Sequence, residues 1–309
     1  MCRINPKVDF AFKKLFGSEE NKDLLISLIN AIVSEEDQVA DIELKNPYNL
    51  ADYQAGKMSV LDIKAKDKKG RWYNIEMQIS EDLNFDKRAI YYWARLVTEQ
   101  LSEGMMFREL KKTISINILD FNFVPREDYH NIYKIINTAI GKDDKLHDIF
   151  ELHYIELKKF KKEYEEITTA LERWVSFLSR AYDLSKDRLP RVMASDKHIV
   201  KALYAVDRMF NEDERLVYDV RMQALADVDS KIASALEKGL KEGEERGIAK
   251  GKEAGLKEGE ERGIAKGKEE GLKEGERLAK LAIARELLAS GMKVEDVTRM
   301  TGLEPEDLK

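Results

Sequence analysis

The chain has 309 residues, 36% of them charged, and a formal net charge of −6. That length suits one good domain with attachments, and the acidic balance excludes a globally basic coat for nucleic acid; DNA would have to be met by a local patch or through metal ions. One cysteine, Cys2, excludes a disulfide framework, and with no run of about twenty apolar residues and no apolar leader the expected location is cytoplasmic, with no membrane partner.

Residues 7–33 read as a helix broken once. Phe10, Ala11, Leu15 and Phe16 form an apolar stripe that Gly17 ends, and Ser18 is placed to cap the next segment. Leu24, Leu25, Leu28, Ile29 and Ile32 then line one face of an amphipathic helix. Residues 41–46, DIELKN, read as a first strand.

The stretch 57–79, KMSVLDIKAKDKKGRWYNIEMQI, reads as a β-hairpin. Tyr73, Ile75, Met77 and Ile79 alternate with Trp72, Asn74, Glu76 and Gln78, a period-2 pattern with one oily face. The turn decides what Asp62 meets. A four-residue loop, Asp67–Gly70, would set Asp62 opposite Ile75 and bury a carboxylate among oily residues. A three-residue loop, Lys68–Gly70, with Gly70 left-handed, pairs Asp67 with Arg71 and Asp62 with Glu76. We expect the second register. Two converging carboxylates repel, and a divalent cation with its preference for oxygen ligands relieves that repulsion.

Asn84–Glu103 reads as a helix closed by Gly104, with Leu83, Ala89, Ile90, Trp93, Leu96, Val97 and Leu101 on its buried side. Arg88, Tyr92, Arg95 and Glu99 follow one another on another side. If that side borders a cleft, Arg88 and Arg95 are candidates to hold DNA phosphates; otherwise it is a solvated face with intrahelical ion pairs. Thr113–Phe121 reads as a strand. The order helix, strand, hairpin, helix, strand suits one mixed sheet flanked by helices, an α/β fold.

Residues 126–232 read as a mostly helical extension, apart from a short strand at Glu151–Leu157. Lys158, Lys159, Lys161 and Lys162 form a basic run that reads either as a DNA-contacting patch or as a solvated helix start. Arg173–Asp229 shows no chemistry, and Trp174, Phe177, Leu178 and Tyr182 read as core. His130, His147, His153 and His198 have no zinc spacing, and no Gly-rich phosphate loop follows a strand.

Residues 233–277 form a charged arm. GLKEGEERGIAKGKEA is followed sixteen residues later by nearly the same string, with glycine at every fourth position from Gly239 to Gly275. Glu242–Arg246, Glu258–Arg262 and Glu269–Lys273 are among the favourable i,i+4 pairs, each contributing roughly 0.3–0.5 kcal/mol. Glycine costs roughly 1 kcal/mol relative to alanine at each helical position, so an isolated helix would fray. A tether is the first expectation for the arm, and a homo-oligomer through its glycine face the alternative. Because the copies are tandem, replication slippage could lengthen or shorten the array without breaking the frame. The remainder, 278–309, reads as a small helix-turn-helix-like unit: Ala279–Ser290 stopped by Gly291, then Val294–Thr301 stopped by Gly302. Its second helix carries one base, Arg299, beside Glu295 and Asp296, which suits packing better than base reading.

The spacing Asp62…Glu76-x-Gln78 resembles the active-site hairpin of PD-(D/E)XK nucleases, with Gln78 where a lysine is usual. More closely, residues 1–125 resemble the Rpn family, the recombination-promoting nucleases also called PD-(D/E)XK family transposases. The resemblance lies in Asp9-Phe10-Ala11-Phe12-Lys13-Lys14-Leu15-Phe16-Gly17, Asp62, Ile75-Glu76-Met77-Gln78, the Arg88…Tyr91-Tyr92…Gln100-Leu101…Gly104 stretch and the strand Thr113–Leu119. It implies a restriction-endonuclease-like core that cleaves DNA with Mg²⁺ or Mn²⁺ held by Asp62, Glu76 and the Met77 main-chain carbonyl. Gln78 would orient the attacking water but carries no charge. Asp9 matches the family's position for a further acid, with Glu19 a weaker candidate and a helix N-cap the plain reading of Asp9. The contrasting expectation is a silent site on the same fold, in a protein that acts through its C-terminal arm.

Overall fold

Why the hairpin folds as it does is visible at its turn. In the computed structural model, which describes residues 4–48, 50, 63–145, 148–184 and 188–308, Gly70 sits at φ 86°, where a side chain is strained. The Asp67 amide donates to the Arg71 carbonyl at 3.0 Å, and the Gly70 amide to the Asp67 carbonyl at 3.0 Å. The loop is therefore Lys68–Gly70, as expected. It is reinforced by Asp67, whose carboxylate accepts from the Arg71 amide at 2.8 Å and from Nε at 2.6 Å. From there β2 (Ile63–Asp67) runs antiparallel to β3 (Trp72–Gln78), with Ile63 opposite Ile75. The rest of the expected first strand, Lys57–Asp62, lies outside the described residues.

Around this hairpin a six-stranded sheet forms in the order β1-β2-β3-β4-β8-β5. β1 is Ile42–Leu44, β4 Thr113–Leu119, β5 His130–Lys134 and β8 Phe150–Glu156. β3, β4 and β8 are parallel, so their carboxyl ends share one edge; the flanking pairs are antiparallel. β6 (Ile136–Asn137) and β7 (Gly141–Lys145) pair separately. The extension read as mostly helical thus holds three strands besides the expected one. β5 escaped the sequence reading because its half-polar string HNIYK gives no clear period-2 pattern.

The oily face of β3 packs as its alternation requires. Tyr73, Ile75 and Met77 join Ile114, Ile116 and Ile118 beneath α1 (Asp9–Phe16) and α2 (Lys22–Ile32). Trp174, Phe177 and Leu178 of Ala170–Arg180 complete this core, while Tyr182 is exposed rather than buried. Burying each large apolar side chain contributes roughly 1.5–3 kcal/mol. Gly17 ends α1 because of space, not φ: an added Cβ would lie 2.6 Å from the Lys13 carbonyl. Ser18 makes no capping bond.

The opposite face of the sheet is covered by α3, Phe85–Thr98. Phe85 and Ala89 pack on Leu119, Leu152 and Tyr154, with Trp93 against them. Leu83 and Ile90, expected on the buried side, are 84% and 49% exposed. The stripe is narrower than the apolar content suggested: the helix starts only at Phe85, after Leu83, and Ile90 faces away from the sheet. The helix also stops at Thr98, short of Gly104.

The chain divides into two compact units, Met1–Ala226 and Asp227–Lys309. The division falls inside one helix, Glu212–Ala289. Its repeat residues are exposed, and Glu242–Arg246, Glu258–Arg262 and Glu269–Lys273 form the expected pairs. In the second unit Ala284, Val297 and Leu303 form a small core. Ala279–Ala289 is the end of the long helix rather than a separate one. Gly291 and Gly302 take left-handed φ values of 90° and 69° at the two stops.

Candidate active site at the strand ends

The shared carboxyl edge of parallel strands is where open α/β sheets bind ligands. Here that edge gathers Gln78, Asp120 and, from α1, Asp9. A cavity of about 170 Å³ is lined by Asp9, Met77, Gln78, Ile79, Ser80 and Leu225.

Glu76 is held two residues before the end of β3. It is buried, 7% exposed, on the α3 face, and it lies level with Asn117 and then Tyr154 across the parallel strands. Asn117 is fully buried; its Nδ2 donates to the His153 carbonyl at 3.1 Å, and its Oδ1 has no partner among the described residues. The backbone of β3 alternates in its pairing. Trp72 N donates to Lys112 O and Asp120 N to Gln78 O, so the even-numbered residues turn to β4. The Met77 carbonyl is therefore directed to the β2 side. Asp62, the other expected carboxylate, lies outside the described residues.

Gln78 is locked at both ends of its amide. Its Oε1 accepts from Arg88 Nη2 at 2.7 Å, and its Nε2 donates to the Ser80 carbonyl at 3.0 Å. Arg88 is fixed in turn by Asp82, 3.0 Å from Nη1, and by the Phe85 ring 4.7 Å beneath its guanidinium. Arg95 stands two helical turns further along α3, half-exposed, and pairs with Glu99 at 3.6 Å. The structure brings Arg88 to the site and leaves Arg95 in the intrahelical pair that a solvated face predicts.

Asp9 is the first residue of α1. Its Oδ1 accepts from the Phe10 amide at 2.7 Å, and its Oδ2 is bound by Arg221 Nη1. It makes no N-cap; that position is Val8. Glu19 is mostly exposed and pairs with Lys22. Asp120 pairs with Lys7 at 2.7 Å. The sequence reading missed Asp120 and Arg221. Asp120 directly follows a strand end, which is a usable signal. Arg221 gave none, since its place depends on how a helix more than two hundred residues downstream docks on α1.

Oxygen donors of the kind a hard divalent cation takes stand at the strand ends: the Glu76 carboxylate and the orphaned Asn117 Oδ1 on the α3 face, the Met77 carbonyl toward β2, and the Asp9 carboxylate on the α1 side. A second acidic cluster does not suit one. Asp37, Asp148 and Glu151 bring carboxylate oxygens within 4.8 Å of one another at the opposite edge of the sheet. The Lys112 ammonium already sits among them, 2.8 Å from Asp148 and 2.8 Å from Glu151, and bonded to Asp37. Burial works to raise the Glu151 carboxyl, but hydrogen bonds from His153, Lys112 and Lys134 outweigh it and hold it well below the usual range. This cluster is a structural ion network.

Two lysines of the basic run after β8 are spent on structure. Lys159 reaches the Glu156 carboxylate at 2.7 Å and the Val124 carbonyl at 2.6 Å, and Lys162 binds Glu172 at 2.5 Å.

Comparison with known proteins gives two matches. The family model described as PD-(D/E)XK nuclease family transposase matches residues 6–235. The model described as the Rpn/YhgA-like nuclease family, C-terminal HTH domain, matches residues 277–309. No curated protein and no solved structure matches the chain.

Proposed function

The chain belongs to the PD-(D/E)XK nuclease family transposases, and from that membership and the geometry at the strand ends we propose that it is a metal-dependent DNA endonuclease. The observation that carries this reading is the locked pair Gln78–Arg88 beside the buried carboxylate Glu76. A glutamine in place of the usual lysine lacks a positive charge. Arg88 supplies one 2.7 Å away, on a side chain already braced by Asp82 and Phe85.

In this reading Glu76, Asp62 and the Met77 carbonyl hold Mg²⁺ or Mn²⁺, with Asp9 as a further ligand. The β2–β3 register supports the pairing: Ile63 faces Ile75, and a ladder continued by one residue would set Asp62 opposite Glu76. When bound, the cation lowers the pKa of a water and stabilises charge on the scissile phosphate. Gln78 orients that water through its amide. Arg88 holds the phosphate and keeps the amide turned the productive way. Catalysis would then be positioning plus electrostatic stabilisation in a site bordered by Met77, Ile79 and Leu225. The C-terminal helix-turn-helix domain would contribute non-specific DNA contacts, and recombination or mobile-element biology is the setting the family membership suggests.

The test is cleavage of supercoiled plasmid with Mg²⁺ or Mn²⁺ by wild type, Asp62→Ala and Glu76→Ala. Nicking or linearisation that disappears in both variants, with melting temperatures unchanged, is the expected result. Activity that survives in both would place the chemistry elsewhere. A wild type that cuts no DNA form with either metal would move the silent-site reading ahead.

A further inference from the structure

Four residues on one face of the helix Glu212–Ala289 dock along α1, at the spacing i, i+4, i+7 and i+11. Glu214 is buried; it binds Lys14 and accepts from the Tyr48 hydroxyl at 2.7 Å. Tyr218 is buried, and its hydroxyl accepts from the Asn5 amide at 2.8 Å. Arg221 binds Asp9, and Leu225 lines the cavity that also holds Gln78. The first two residues fix this helix against α1, the segment just before it and Tyr48. The third, 21% exposed, reaches a carboxylate that is itself 33% exposed. Two anchors therefore hold a partly exposed cationic side chain on Asp9, a residue that lines the cavity.

The charges explain why a cation is needed there. Asp9 and Gln78 line one cavity, and the Asp120 amide donates to the Gln78 carbonyl at 2.9 Å. Lys7 answers Asp120, and Arg221 answers Asp9. Carboxylates gathered without counter-charges would repel one another. A guanidinium on the Asp9 Oδ2 satisfies that need before any metal arrives.

We propose that Arg221 is a gate at the metal site: it and a divalent cation compete for the Asp9 carboxylate, so that the helix leading into the glycine repeat sets how readily the site loads. This rests on the nuclease reading above. Arg221 is a positioning residue here, acting through Asp9. The competition has a defined direction. Removing Arg221 leaves Asp9 without its strongest rival for a metal, so the metal binds more tightly. A purely structural ion pair has the opposite consequence, since its loss would loosen Asp9 and weaken or leave unchanged whatever Asp9 binds.

The experiment is calorimetric titration of Mn²⁺ into the full chain, without DNA, for wild type, Arg221→Gln, Arg221→Lys, Asp9→Asn, the Asp9→Asn/Arg221→Gln pair and Glu76→Gln. The expected gain for Arg221→Gln is about three- to fivefold in affinity, the upper range of a partly exposed ion pair. Arg221→Lys should stay near wild type, Asp9→Asn should weaken binding, and the double variant should match Asp9→Asn. Unchanged or weaker binding in Arg221→Gln overturns the gate. So does tighter binding that persists on the Asp9→Asn background. If Glu76→Gln loses Mn²⁺ while Arg221→Gln is unchanged, only the gate fails. If wild type takes up no Mn²⁺, or Glu76→Gln takes it up equally well, the metal-site reading falls and the gate with it. Should Arg221→Gln melt too low in EDTA to be titrated, Arg221→Met, which keeps the apolar stem and removes the charge, takes its place on both backgrounds with the same expected gain and the same overturning results.

Discussion

His130 sets a pH dependence that the ion network around Lys112 does not. His153 Nε2 lies 2.7 Å from Glu151 Oε1, and His153 Nδ1 lies 2.9 Å from His130 Nε2. With Glu151 ionised, His153 donates to it from Nε2, and His130 donates to the Nδ1 left as acceptor. Burial, then the neighbouring His153, lower the His130 pKa from 6.5 to about 4. As pH falls from about 6.5 to about 4 the unfolded chain takes up a proton that the folded chain refuses, so His130 removes stability across that window. Glu151 and Asp37 act lower down. Their carboxyls are held below the ordinary range despite burial, so the stability they contribute is full above that range and is lost only as pH falls through their lowered values. His130→Gln keeps a donor toward His153 and removes the titration. The free energy of urea unfolding should therefore drop less between pH 7 and pH 5 in this variant than in wild type. Equal drops would show that His130 does not carry the effect.

At the scale of elements, the hairpin turn controls the site. Gly70 has φ 86°, and an added Cβ would stand 3.1 Å from Lys111 Cγ. Gly70→Ala should cost about 1–2 kcal/mol in urea unfolding, from the left-handed backbone alone. Because a one-residue slip turns every side chain of a strand to the other face, the same substitution should also reduce plasmid cleavage if the register shifts. A variant as stable as wild type would mean that the loop tolerates another turn. The glycine array behaves differently. An added Cβ at Gly239 through Gly275 meets nothing within 4 Å. These glycines are not required by packing within one chain, and their cost to the helix is the ordinary backbone one.

The whole molecule is acidic, and its clearest cations are already placed: Lys112 among three carboxylates, Arg71 between Asp37 and Asp67, and Lys7 on Asp120. In the C-terminal unit the exposed Arg299 pairs with Asp296 at 2.8 Å. DNA affinity should therefore depend on a divalent cation at the acidic edge. Fluorescence anisotropy with a labelled duplex should give weak binding in EDTA and at least about tenfold tighter binding in Ca²⁺, as each neutralised charge removes repulsion from the phosphate backbone. Equal affinities in the two buffers would mean that the basic groups alone hold DNA.

Much of this was legible in the residues themselves. Alternation from Trp72 to Gln78 determined the oily face of β3, because a strand's side chains have a period of two. Gly70 determined the hairpin register, because a three-residue loop needs a left-handed residue at its end. The resemblance in Asp9–Gly17 and Ile75–Gln78 determined the family. Tertiary structure decided what local pattern does not encode. It placed Arg88 on Gln78 and left Arg95 outside, though both sit on the same side of one helix. It started α3 only at Phe85, leaving Leu83 exposed in the turn before it, and turned Ile90 away from the sheet. It brought Arg221 to Asp9 and Lys112 into a ring of acids, pairings between residues far apart in the chain. Period and turn chemistry act over a few residues and can be read off in order. Which charge meets which across the molecule depends on the packing of every element between them.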